Sequence, residues 1–340
     1  MKTNQWCLLR CLAAPAVSSA RRRCLGVLAA AVLGSLASLA HAQSFPSQSI
    51  AIVVPYPPGA SADLVARLVA PKLSASIGQP VIVEYKAGAN GSVGAAYVAK
   101  SPPDGYRILM ATQPILGINA HLQKDTGFDP IKDLTPLTKA VNAVVAIAVH
   151  PSLPVNSMSE LIDYAKKNPG ALTYGTAGAG SPQHIGGVLL SQRAQIETTH
   201  VPYKGGGPMV ADLLAGHIKA GIATFAALKP LMGGRTRIIA VGETSRFPAA
   251  PEIPTIAETL PGFELTTWLG FFGPAGLPSN LVTVLANELA RALRADDVRA
   301  KLEDAALLVR PDGPEALARV VRDDYETYGR IIREHRIAAN

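Results

Sequence analysis

The sequence predicts an α/β fold with mainly parallel sheets, and three observations carry that expectation. Short apolar or β-branched runs alternate with helical patterns along most of the chain. Turn signals fall between them, as in Pro103-Asp104-Gly105 and Asn168-Pro169-Gly170. Beyond the amino-terminal segment about 298 residues remain from Gln43, enough for two domains of ordinary size.

The first 42 residues carry Lys2, Arg10, Arg21, Arg22 and Arg23 with no acid, followed by an apolar run from Cys24 to Ala40 and the sequence Ala40-His41-Ala42. This is the pattern of a secretory signal peptide cleaved after Ala42. The run is short, and rich in Ala, Gly and Ser, for a membrane span. The arginines also admit twin-arginine export. The whole chain has a net charge of +7; without the leader, 27 Lys+Arg stand against 25 Asp+Glu, a net charge of +2. Nothing in that balance points to nucleic acid. Cys7, Cys11 and Cys24 all lie in the leader, so the mature chain is expected to have no disulfide, thiolate nucleophile or cysteine metal site.

Strands are expected at residues 50–55, 81–85, 106–111, 144–150, 172–175, 197–201, 218–224 and 238–242. Helices are expected at 62–76, 91–100, 159–168, 182–192 and 208–215. Two further helical segments, 280–299 and 314–335, have charged outer faces suited to closing off a fold.

Four helix starts share one composition. "PYPPGASAD" places Ser61 as a cap and Asp63 in the first turn. "GTAGAGSPQHIGG" has Ser181 as N-cap and Pro182 at the first helical position, "VPYKGGGPMVADLLAG" leads through glycines to Pro208 and stops at Gly216, and "AGANGSVGAA" brings Asn90, Gly91 and Ser92 to a fourth start. Small residues let a solute approach the backbone, and a first turn offers unpaired N–H groups with partial positive charge. In an α/β sheet such loops converge on one crevice. Glycine and serine are ordinary at helix starts and usually bind nothing; four such loops in one chain favour a small-anion site. No phosphate-loop or dinucleotide motif is present.

Ser181 and His184, with Asp63 or Asp212 as a third member, invite a hydrolase reading. A capping serine turns its oxygen to the backbone, however, and no G-x-S-x-G elbow exists here. The remaining histidines, His121, His150, His200, His217 and His335, form no i, i+4 pair, and a metal site is not expected. Lys204 suits a ligand carboxylate or a solvated loop position equally well. Tyr56 and Trp268 fit either a crevice wall or the core.

The chain resembles the tripartite tricarboxylate transporter substrate-binding proteins, also called Bug receptors, over nearly its whole mature length. The resemblance rests on "IVVPYPPGASAD", "GQPVIVEYKAGANGSVGAAYVAKSPPDGYRIL", "FDPIKDLTPLT", "YGTAGAGSPQHIGG", "HVPYKGGGPMVADLLAGHI" and "PEIPTIAETLPGFELTTWLGFFGPAGLP". It implies a periplasmic, monomeric receptor without a cofactor, having two α/β lobes of the periplasmic binding protein (Venus-flytrap) type, each a mainly parallel sheet flanked by helices. Lobe 1 is expected to hold residues 43–142 and 267–340, and lobe 2 residues 143–266, with crossings near 140–146 and 267–272. The implied ligand is a small organic carboxylate and the implied partners are membrane transporter subunits, or a sensor kinase if the receptor serves signalling. The implied ligand-binding residues are Tyr56, Gly59, Ala60, Ser61 and Asp63 in the first loop. Thr176, Ala177, Gly178, Ser181, Gln183 and His184 belong to the second, and Tyr203, Lys204 and Thr224 lie beyond it. Two departures stand out. Ala60 replaces the second glycine common in the first loop, and the segment around Lys219, Ala223 and Thr224 lacks the family's Asp-rich character. A pocket without that acid is expected to prefer a simple organic acid to an amino acid.

Overall fold

The computed structural model describes residues 45–338 apart from 233 and 235, so the expected signal peptide and its cleavage point lie outside the described residues. Residues 48–340 form one unit by their internal contacts, and every strand and helix described belongs to it.

Strands β1 (Ile50–Val54), β2 (Val81–Tyr85) and β3 (Arg107–Thr112) lie parallel in the order β2-β1-β3. Parallel neighbours need crossovers, which helices α1 (Ser61–Ile77) and α2 (Ser92–Ala99) supply. A π turn at Pro114–Ile118 and the short helix α3 (Asn119–Leu122) then lead to β4 (Leu134–Val149), which is 16 residues long. A second parallel group follows, built from α4 (Met158–Lys167), β5 (Leu172–Thr176), α5 (Pro182–Ala194), β6 (Thr198–Pro202), α6 (Gly206–Ala215) and β7 (Ala220–Thr224). Its order is β7-β5-β6. After α7 (Phe225–Leu228) and β8 (Arg237–Val241) the chain returns along β9 (Thr266–Pro274). It ends with α8 (Ser279–Arg294), α9 (Asp296–Asp304), β10 (Leu307–Val309) and α10 (Pro314–Glu334).

Two antiparallel strands join the parallel groups, giving the order β2-β1-β3-β9-β4-β7-β5-β6. β9 pairs with β3 and β4, and β4 pairs with β7, β8 and β10. In β4 alternate side chains enter different cores. Val145, Ile147 and Val149 pack with α4 and α5, while Val144, Ala146 and Ala148 pack with Met209, Leu213 and Phe225. Burial on both faces accounts for the unbroken apolar run at the strand's end.

The expected strand at 144–150 is therefore the last part of a longer one. Its first ten residues, "LTPLTKAVNA", contain Pro136 and were not among the expected strands. The structure accommodates that proline at a register shift between Pro136 and Thr138 against β9. The expected helix at 280–299 is two helices, broken at Ala295 with ψ 130°. Asp296 and Asp297 open the second at its electropositive end, and Asp297 pairs with Lys72 at 2.9 Å. Strands β9 and β10 and helices α3 and α7 were not expected.

Ser61 does not cap α1; Ala60 holds that position and makes no side-chain cap bond. Asp63, which is 6% exposed, instead ties down the loop before the helix. Its Oδ2 accepts the Gly59 N–H at 2.8 Å and its Oδ1 accepts the Tyr85 hydroxyl at 2.6 Å. Gly59 turns at φ +97°, which a side chain would disfavour. Burial works to raise the Asp63 pKa, but the bonds from Tyr85 and Gly59, with Arg67 nearby, outweigh it and hold the group below its ordinary value. A depressed carboxylate stabilises the fold fully above its unfolded pKa, and that contribution is lost as pH falls through the folded one. Asp63→Ala should therefore cost about 2 kcal/mol in urea unfolding near pH 7. The gap from the wild type should narrow near pH 3; an unchanged gap would rule out a charged Asp63 as its source.

Candidate ligand-binding cleft

Loops leaving the carboxyl ends of β1, β2, β3, β5 and β6 meet around a cleft of about 480 Å³. One wall is Tyr56, Asn90 and the segment from Pro114 to Gln123; the other is residues 177–182 and 203–205.

The first wall is braced by amides. Asn90 and Gly91 take left-handed backbone conformations, at φ +52° and φ +96°. Asn119 Nδ2 donates to the Asn90 carbonyl at 3.1 Å and to Ser92 Oγ at 3.2 Å. Ser92 in turn donates to Gln123 Oε1, whose amide nitrogen reaches the Ala89 carbonyl. The Tyr56 hydroxyl lies 2.9 Å from Thr112 Oγ1. Burial raises the Tyr56 pKa, so the wall presents a neutral phenol.

The second wall hangs on buried Thr176, whose hydroxyl contacts the Gly178 carbonyl, Ser181 Oγ and His200 Nε2. Ser181 caps α5 as the sequence suggests, accepting the His184 N–H at 3.2 Å, with Pro182 first in the helix. His184 Nδ1 accepts the Gly180 N–H at 3.0 Å, and its ring stacks on His200 at 3.7 Å. Burial drives both imidazoles down to about 4, helped by the charge of His335 on His184 and of His184 on His200. They are therefore neutral at neutral pH. The Gly205 N–H ties the adjoining loop to the Ala177 carbonyl at 2.9 Å. A Cβ at Gly205, Gly206 or Gly207 would meet nothing within 4 Å, so a solute can approach the first turn of α6 closely. That helix begins at Gly206, two positions before the expected Pro208.

Among the described residues, the Ala177 and Ala179 N–H groups have no acceptor. Lys204 is exposed and in no ion pair, and no acid stands on either wall. The Tyr203 hydroxyl donates to Asp212 at 2.7 Å. Burial and that carboxylate push the Tyr203 pKa up to about 12. The cleft thus offers donors and positive potential to a small anion.

Of the residues singled out in the sequence, Tyr56, Ala177, Gly178, Ser181, Tyr203 and Lys204 come together here. Gly59, Ala60 and Ser61 lie outside the lining, and Asp63 is spent on their loop. Thr176 supports the second wall from beneath. Gln183 also lies off the lining, and His184 faces a separate hollow of about 750 Å³ with His200 and His335. Thr224 ends β7, pairs with Val145 and stands off the wall. Trp268 is buried elsewhere. Sequence reasoning missed Asn119 and Gln123, although two amides at i, i+4 soon after Pro114 were a usable signal. The hydrolase arrangement does not form: Ser181 receives a backbone N–H, and the His184 nitrogen that could serve as a base is occupied by Gly180.

Imidazoles held neutral below their ordinary pKa of about 6.5 stabilise the fold above that pH, and the contribution is lost as pH falls through about 4. Scanning calorimetry should show the melting temperature dropping across this window, and dropping less in His200→Gln. An equal fall in both proteins would count against the histidine pair.

The family model described as "tripartite tricarboxylate transporter family receptor" matches residues 65–337. A Pseudomonas sp. strain P51 protein, the UPF0065 protein of a tcbD-tcbE intergenic region, is 35% identical over 94% of this chain and 96% of its own. The structure of R. palustris Rpa4515 with adipate is 34% identical, covers 86% of this chain and 99% of that one, and superposes with a TM-score of 0.69. A ligand-free TctC solute-binding protein from Polaromonas, 27% identical, covers 86% of this chain and 100% of its own with a TM-score of 0.77. The chain therefore belongs to the tripartite tricarboxylate transporter receptor family, and it is a solute-binding receptor of the two-lobed periplasmic binding protein fold rather than an enzyme.

Proposed function

We propose that the protein captures a small organic carboxylate in the cleft and delivers it to a membrane transporter of the tripartite tricarboxylate type. The observation that carries the reading is the cleft's polarity: uncommitted N–H groups, a free Lys204 and no acid on either wall. The adipate held by the R. palustris relative supports a carboxylate as the ligand class.

Residues 43–142 with 267–340 form one lobe in this proposal, and 143–266 the other. The placement of β4 and β9 between the two parallel groups supports that division. The open lobes admit the anion, backbone N–H groups replace its water, and higher affinity for the closed state drives closure. Tyr56, Ala177, Gly178, Ser181, Tyr203 and Lys204 make the contacts. Gly59, Ala60, Ser61, Asp63, Thr176, Gln183, His184 and Thr224 shape or support the loops. The protein works in the periplasm once its leader is removed after Ala42. Without an acid on the wall, a simple organic acid is preferred to an amino acid.

A thermal-shift screen of mono-, di- and tricarboxylates and amino acids, on protein refolded to strip carried-over solute, tests this. A ligand at 100 times its Kd adds about 2.7 kcal/mol of stability. Hits should be confined to carboxylates without an ammonium group, and Lys204→Met should bind the best of them about tenfold more weakly with the melting temperature unchanged. Hits only among amino acids would refute the ligand class, and no hit from a folded protein would refute the capture of a simple carboxylate.

A further inference from the structure

Where β4 and β9 run between the two parallel groups, a carboxyl and an amide meet out of reach of water. Glu243, just past the end of β8, is 2% exposed, and Asn142 on β4 is 5% exposed. Asn142 Nδ2 donates to Glu243 Oε2 at 3.2 Å. The other oxygen of each group, Asn142 Oδ1 and Glu243 Oε1, has no hydrogen-bond partner among the described residues and is closed off from solvent. An atom without accessible surface has no room beside it for a water or a solute. A buried acceptor left unpaired costs free energy, so the missing bond has to come from within the fold.

The backbone fixes Glu243 against β4. Its neighbour Gly242 donates its N–H to the Val145 carbonyl at 2.8 Å and accepts the Leu265 N–H at 2.9 Å. A Cβ at Gly242 would lie 1.9 Å from the Leu265 oxygen, so this close approach needs a glycine. The nearby donors are turned away or committed. Thr267 has an unpartnered hydroxyl, but it stands opposite Ala143 while Asn142 stands opposite Trp268, so strand alternation sends it to the other side of the sheet. Trp268 Nε1 donates to Asp324 at 2.6 Å, and Lys139 is paired with Asp312 at 2.9 Å.

The charges around the carboxyl oppose one another. Glu264, before β9, disfavours a second negative charge, whereas Arg310, after β10, and Lys139 on β4 favour it. Asp323 and Asp324 of α10 stand on a cavity of about 290 Å³ that Asn142, Lys139 and Glu264 also line. Burial outweighs the cations and the Asn142 bond, and the Glu243 pKa is raised above its ordinary value.

A proton on Glu243 Oε1 meets both needs at once. The carboxylic acid then donates to Asn142 Oδ1 while Oε2 keeps the bond from Nδ2, and the two planar groups close a ring of two hydrogen bonds. An ionised Glu243 can make only the second of these, and it sets a charge against the amide oxygen.

We propose that Glu243 and Asn142 form a neutral acid–amide pair, a proton-operated clamp across the crossing of the chain that loosens when pH rises and Glu243 ionises. In the lobe division proposed above, Asn142 ends the first segment of one lobe and Glu243 belongs to the other, so the clamp bridges the lobes. The pair itself does not depend on which solute the cleft takes. A carboxyl with a raised pKa leaves stability full below its unfolded value near 4.5, and stability falls as pH rises from there through the folded value.

The test compares the melting temperatures of the wild type, Glu243→Gln and Glu243→Ala from about pH 4 to about pH 8. Glutamine offers an N–H to Asn142 Oδ1 and an oxygen to Nδ2, so it rebuilds the ring at every pH. Glu243→Gln should match the wild type at the acid end. It should melt about 3 °C higher at the alkaline end, where the wild type must either ionise or hold its proton against the pH. Glu243→Ala should melt below the wild type at the acid end. Infrared spectra about one pH unit above the ordinary carboxyl value should show a protonated-carboxyl band that is reduced in Glu243→Gln. A gap between Glu243→Gln and the wild type that is equal at both ends, a Glu243→Gln that does not fold, a Glu243→Ala as stable as the wild type in acid, or an unchanged infrared band would each overturn the proposal.

Discussion

Both halves of this molecule depend on β4 being buried on its two faces at once. A strand whose alternate residues enter separate hydrophobic cores cannot slip by one position without exchanging those cores, so its register is set strongly. Through β9 it fixes one parallel group and through β7 the other. The loops that form the cleft project from the carboxyl ends of strands held, directly or through a neighbour, to that frame. The position of one wall against the other is therefore a matter of β4 and β9, not of the loops.

On that frame the chain separates its charges. The cleft carries backbone donors and a lysine, while the cavity beside β4 and β9 is lined by Glu264, Asp323 and Asp324. The stacked imidazoles behind the second wall stay neutral, so they support Gly180 and Thr176 without adding charge of their own near the anion. Gly180 has a second task. A Cβ there would sit 2.5 Å from Leu122 Cδ1, so the walls approach each other at a residue with no side chain. Beside that contact Ile118, Ile185, Tyr328, Ile331 and Ile332 form an apolar cluster joining α10 to α5.

The parts of this structure that were legible in the sequence are those governed by local rules. Alternating patterns placed the parallel strands and their crossover helices, Ser181 and Pro182 marked a helix start, and Gly216 marked a stop at φ +77°. What escaped depends on partners distant in sequence. Pro136 hid the first half of β4 because the shift that tolerates it exists only against β9. Ser61 read as a cap, but Asp63 took the Gly59 N–H once Tyr85 on β2 was there to hold the carboxylate. In the cleft the sequence supplied the glycine-rich second wall and missed Asn119 and Gln123, whose importance comes from carbonyls near Asn90. The acidic cavity was invisible, since Gln113, Asn142, Glu264 and Asp324 lie far apart along the chain.

The pairing of β3 with β9 bears on how the chain reaches this state. Leu109 lies opposite Phe272, so one edge of β3 waits for a partner that comes more than a hundred residues later. Closing so long a loop is entropically costly and slows folding, and an apolar strand with an open edge is prone to pair wrongly meanwhile. The first parallel group can assemble early, but it is sealed only when the last third of the chain arrives. A chain released before β9 is synthesised would keep an adhesive edge.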